Sequence, residues 1–116
     1  MRNRSPEHDI QVKLARYIDL LGLLWCASAG GMRTGIRTAV KMKAAGYKKG
    51  CPDIMIFEPR AEYCGLFIEL KTATGTASPS QKAFIKALED RGYRAVICKG
   101  FEAAKSEIDN YMGGRL

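Results

Sequence analysis

The sequence predicts an α/β fold, a mixed β-sheet flanked by helices, and three observations carry that expectation. Apolar runs of strand length occur at 23–27, 53–57, 66–71 and 93–98, with helical periodicity between and around them. Their order is helix, strand, helix, strand, strand, helix, strand, helix. A length of 116 residues suits one domain, taken as 1–116, large enough to bury a core without covalent or metal staples.

Each element has its own signals. Ser5 is a favourable N-cap and Pro6 fits the first helical position; Ile10, Leu14, Tyr17, Ile18 and Leu21 give the first helix its apolar face, and Gly22 ends it. Leu23 to Ala27 reads as a short strand, followed by a flexible turn at 28–31. A second helix is expected from about Gly35 to Ala45, because Ile36, Val40 and Ala44 recur every four residues and Gly46 lies past the end. Arg33, Arg37 and Lys41 keep the same spacing, which aligns three cations in one stripe. Asp53 to Phe57 and Leu66 to Lys71 are strands joined by a polar turn with Pro59 and Gly65, an antiparallel hairpin. Ser78-Pro79-Ser80-Gln81 opens the third helix with a Ser N-cap, Pro at the first position and Gln at the third, the capping-box pattern. Tyr93 to Cys98 reads as a buried strand, reached by a right-handed crossover and parallel to the strand before it. The last helix, about Phe101 to Met112, turns Phe101, Ala104, Ile108 and Met112 inward.

Composition narrows the function. Nineteen Lys and Arg against twelve Asp and Glu give a net charge of +7, and the excess is concentrated. From Leu20 to Pro52 there is no carboxylate but six cations: Arg33, Arg37, Lys41, Lys43, Lys48 and Lys49. Such a block beside a nearly neutral remainder fits a polyanionic partner, nucleic acid or an anionic membrane surface; a solvated basic face is the plainer reading. The most apolar run, Ile18 to Ala29, is too short to span a bilayer and contains Asp19. No apolar segment follows the basic N-terminus, so a secretion signal is not expected. Cys26, Cys51, Cys64 and Cys98 form no CxxC or Cys/His cluster; three of them read as small buried hydrophobes, reduced thiols of a cytoplasmic protein.

Strand alternation singles out the chemistry. Leu66, Ile68 and Leu70 face one way and Phe67, Glu69 and Lys71 the other. Charges two residues apart in a strand of core residues are costly unless something uses them. If the hairpin closes, Asp53 lies near the end of the strand that carries them. Two carboxylates and an ammonium then converge, a set suited to metal-assisted phosphodiester hydrolysis. A structural ion-pair cluster on a half-exposed sheet is the competing reading.

Cys51-Pro52-Asp53 followed after fifteen residues by Glu69-Leu70-Lys71 resembles the PD-(D/E)XK nuclease signature. Gly46 to Asp53, Gly65 to Lys71, Ser78 to Gln81, Glu7 with Gln11, and Gly92 to Ala95 resemble its VRR-NUC branch. The likeness runs from Glu7 to Tyr111, with no clear match over Leu23 to Thr38. It implies a restriction-endonuclease-like core (αβββαβ) and a Mg²⁺-dependent DNA endonuclease in which Mn²⁺ substitutes. Asp53 and Glu69 would be metal ligands, with the Leu70 carbonyl as a third, and Lys71 would position or activate water. Glu7 would support the metal from the first helix, through a water or a second ion, and Gln81 would reach back from the crossover helix. The short stand-alone members, phage and bacterial, imply a cytoplasmic homodimer selective for branched or four-way DNA, with no membrane and no organic cofactor. The basic block would hold phosphates on either side of the scissile bond. Gln81 also has a purely structural reading, the capping box, and Glu7 is favoured near a helix N-terminus anyway. A catalytically silent nucleic-acid-binding module is the alternative from another class.

Overall fold

The structure, a computed structural model, describes residues 6–28 and 35–116. The Ser5 cap and Arg33 fall outside the described residues. Helix α1 (Pro6–Leu20) has Pro at its first position and Glu7 and Asp9 in its first turn, where the helix dipole favours negative charge. Leu14 and Ile18, four residues apart, are fully buried. Leu21 is not part of this face and is 42 % exposed, because the chain turns out of the helix at Gly22, whose φ is +72°.

Strand β1 (Trp25–Ala27) pairs antiparallel with β2 (Ile54–Ile56), and β2 pairs antiparallel with β3 (Leu66–Lys71). Beyond helix α3 (Pro79–Glu89), β4 (Arg94–Lys99) lies parallel to β3, so the sheet order is β1-β2-β3-β4. This is the expected hairpin and parallel return. Helix α4 (Phe101–Met112) closes the fold.

The two faces of the sheet are covered unequally. On one, Ile54, Ile56, Leu66, Ile68, Leu70 and Cys98 pack with Leu14 and Ile18 of α1 and with Ala104, Ile108 and Tyr111 of α4. Each such Leu or Ile contributes about 1.5–3 kcal/mol when fully buried. Tyr111 was not among the residues expected inward, yet it is fully buried and its hydroxyl donates to the Glu58 carbonyl at 2.7 Å. A buried phenol needs such a partner. Arg94 adds a two-pronged pair to Glu107 of α4, at 3.0 and 3.3 Å. On the other face α3 covers a smaller core of Phe67, Leu88 and Ala95, with Met55, Phe84, Ile85 and Tyr93 packed against it.

Two expectations need correcting. Of the four thiols only Cys98 is buried; Cys26 and Cys64 are exposed, because β1 is an edge strand and Cys64 sits in the turn before β3. Helix α2 (Ile36–Ala44) forms where its periodicity places it, but none of its residues is buried. Ile36 and Val40 are 85 % and 63 % exposed. Its end is set locally: Gly46 has φ +105° and donates to the Lys43 carbonyl, and the Tyr47 amide donates to the Met42 carbonyl, the Schellman pattern.

Candidate active site

The site forms where β2, β3 and α3 meet. Asp53 stands just before β2. Its main-chain carbonyl accepts from the Ser28 amide at 2.9 Å, which continues the β1–β2 pairing by one residue. Its carboxylate Oδ2 accepts from the Leu70 amide at 2.8 Å, which fixes the side chain toward β3. Since Ile54 pairs with Ile68, the next step of the register sets Asp53 opposite Glu69.

Glu69 is the one charged side chain buried among the described residues, 2 % exposed. Its Oε2 accepts from the Gln81 side-chain amide at 2.9 Å and lies 3.5 Å from the Lys71 ammonium. Its Oε1 is buried without a hydrogen-bond partner. Burial, and then the neighbouring Asp53 carboxylate, push the Glu69 carboxyl up to about 8 against the opposing pull of Lys71. A carboxyl so placed is poor as an isolated anion and well suited to a cation that neutralises it. Lys71 is largely sheltered, its side chain 12 % exposed.

Gln81 is held by the start of α3. Its Oε1 accepts from the Ser78 amide at 2.8 Å, and its own amide donates to Ser78 Oγ at 3.2 Å, so the capping box is complete. With its oxygen engaged in the cap, its nitrogen is the end left to face Glu69. The capping box thus also aims the Gln81 side-chain nitrogen at Glu69.

A further joint escaped the sequence reading. Gly50, three residues before Asp53, has φ +93°, and a Cβ there would lie 2.5 Å from the Ser80 carbonyl oxygen. Only glycine lets the loop before β2 lie directly on the first turn of α3. The signal was legible as the glycine of Gly50-Cys51-Pro52-Asp53, but its partner was not. Of the basic block, Arg37, Lys41, Lys43, Lys48 and Lys49 are all exposed. Lys49 adjoins the Gly50 joint, so that end of the block abuts the cluster.

Asp53, Glu69, Lys71 and Gln81 are therefore brought together. No group of three His, Cys, Asp or Glu side chains converges among the described residues, and Glu7 in the first turn of α1 is not gathered with the Asp53–Glu69 pair. The donor set still fits a hard cation of the magnesium type, which is held by one or two carboxylates and completes its shell with water and phosphate oxygens. The unpartnered Glu69 oxygen, opposite a second carboxylate, is the feature that favours this fit.

The comparisons agree with the fold. The VRR-NUC domain family model matches residues 7–102. A solved VRR-NUC domain protein is similar over 97% of this chain and 92% of its own, with 29% identity and a TM-score of 0.73. A second VRR-NUC domain structure, 20% identical, covers 93% of this chain and 99% of its own with a TM-score of 0.65 and shares the fold. No curated protein matches. With the match extending over most of its length, the chain belongs to the VRR-NUC family of nuclease domains.

Proposed function

We propose that this protein is a metal-dependent DNA endonuclease of the PD-(D/E)XK type, selective for branched or four-way DNA. The observation that carries the reading is the convergence of Asp53, Glu69 and Lys71, with one buried Glu69 oxygen lacking a partner. Asp53, Glu69 and the Leu70 carbonyl would hold Mg²⁺ or Mn²⁺, and Glu7 would reach the site only through a water or a second ion. Such a metal supplies charge neutralisation at the phosphate and makes a water acidic enough to attack.

The chain's own residues do the rest. The Leu70 amide fixes Asp53, and Gln81 fixes Glu69, so neither carboxylate reorganises when phosphate arrives. Lys71 directs its ammonium at the place where negative charge develops, and its sheltered setting strengthens that interaction. Arg33, Arg37, Lys41, Lys43, Lys48 and Lys49 grip the backbone without reading sequence. Two such domains acting as a homodimer would make paired cuts in a four-way junction, each site facing one strand. No helix among the described residues is long and apolar enough to cross a membrane, and a cytoplasmic setting is part of the same reading.

The test is cleavage of labelled linear, nicked, flapped and four-way DNA with and without Mg²⁺ or Mn²⁺. Asp53→Ala and Glu69→Ala are expected to abolish cutting, and Lys71→Ala to lower kcat by about 10²–10³-fold, all with DNA binding retained. Full cleavage by these variants would sink the mechanism. A wild-type chain that binds but never cuts would favour the silent binding module.

A further inference from the structure

The parallel register of β3 and β4 continues to their last residues and sets Lys99 directly beside Lys71. The Gly100 amide donates to the Lys71 carbonyl at 2.9 Å, so the pairing holds to the end of the strand. Paired residues of neighbouring strands share a face. Here it is the face of Glu69 and α3: Ala95 packs there with Phe67 and Leu88, whereas Cys98 joins the opposite core. Lys99 is exposed. Lys71 has Glu69 at 3.5 Å, whereas no carboxylate lies within ion-pair distance of Lys99 among the described residues. Glu69 faces only the Lys71 side of this pair, so the two ammonium side chains, on one face of strands about 4.8 Å apart, leave a positive charge at Lys99 that an anion beside the site would neutralise.

We propose that Lys99 contacts a phosphate of the strand being cut, adjacent to the phosphate held at Asp53, Glu69 and Lys71. This inference rests on the nuclease reading above and adds a contact outside the basic block. A lysine acts there as a point charge, which places the backbone without selecting bases.

The experiment measures DNA binding without divalent metal from 50 to 200 mM salt, and cleavage kinetics with Mg²⁺. Lys99→Met is expected to lower the slope of log affinity against log salt by about 0.9, which reduces the affinity loss across that range about threefold. Its KM for DNA should rise with kcat little changed, the reverse of the Lys71→Ala pattern. Lys99→Gln should match it, and Lys99→Arg should restore the wild-type slope. Lys86→Met, at an exposed residue paired with Asp90 near the other end of α3, should leave the slope unchanged. Cleavage by the wild type together with an unaltered slope and KM in folded Lys99→Met overturns the Lys99 contact alone. Failure of the wild type to bind DNA overturns this contact and the nuclease reading together.

Discussion

Helix α2 ends at Ala44 and the carboxylate cluster begins at Asp53, yet the two are built on opposite principles. Asp53, Glu69 and Gln81 are fixed by the Leu70 amide, by a capping box and by a sheet whose central strand β3 is buried in five of its six residues. Helix α2 has no buried residue and is held by local means: a Schellman end at Gly46 and two lysines in its last turn, where the dipole favours them. Placing two carboxylates for chemistry requires rigidity, which burial supplies. In the proposed function, attracting a polyanion would require only charge at the right distance, which a solvated helix supplies.

The sharpest way to test that division is by stability. Ile108→Ala, in the α1–α4 core, should lower unfolding free energy by about 2–5 kcal/mol. Val40→Ala, on the exposed apolar side of α2, should change it by no more than about 0.5 kcal/mol. Urea unfolding of both variants checks the pair, and a large loss for Val40→Ala would mean that α2 is packed after all.

The next contrast is pH. Glu69, raised to about 8 from an ordinary value near 4.5, keeps in the folded state a proton that the unfolded chain gives up. The contribution of Glu69 to the metal-free fold is therefore full below about pH 4.5 and is lost as pH rises from there to about 8, by at most about 1.4 kcal/mol per pH unit. Unfolding in chelator at several pH values should show this slope, and Glu69→Gln should flatten it. Added Mg²⁺ should raise the melting temperature more at pH 8 than at pH 5, because metal and proton compete for one carboxylate. A flat wild-type profile would remove Glu69 as the titrating group.

The smallest stability effect belongs to α2. Replacing Lys41 and Lys43 by Gln should leave the fold within about 0.5 kcal/mol. The salt slope of DNA binding should nevertheless fall by about 0.9 for each phosphate that these two lysines neutralise. Binding isotherms across salt decide it: an unchanged slope would take α2 out of the interface.

Legibility in the sequence followed the same division. The β2–β3 hairpin, the Ser78–Gln81 cap and the alternation that pairs Glu69 with Lys71 depend on neighbours in sequence, and they read directly. The exposure of Cys26 and Cys64 did not, because an apolar run does not say whether its strand lies at an edge. Tyr111 was missed because its partner, the Glu58 carbonyl, is 53 residues away. Ile36 and Val40 have the spacing of a buried face, yet periodicity says only that they share a side, not that anything covers it.

By itself the sequence determined the elements, the concentration of charge between Leu20 and Pro52, and the residue types of the cluster, because propensity, capping and alternation act over a few residues. Only the tertiary structure decided that Gly50 rests on Ser80, that one oxygen of Glu69 is left unpartnered, and that Lys99 stands beside Lys71. Each of these depends on the register and approach of segments at least 12 residues apart, and packing alone sets those.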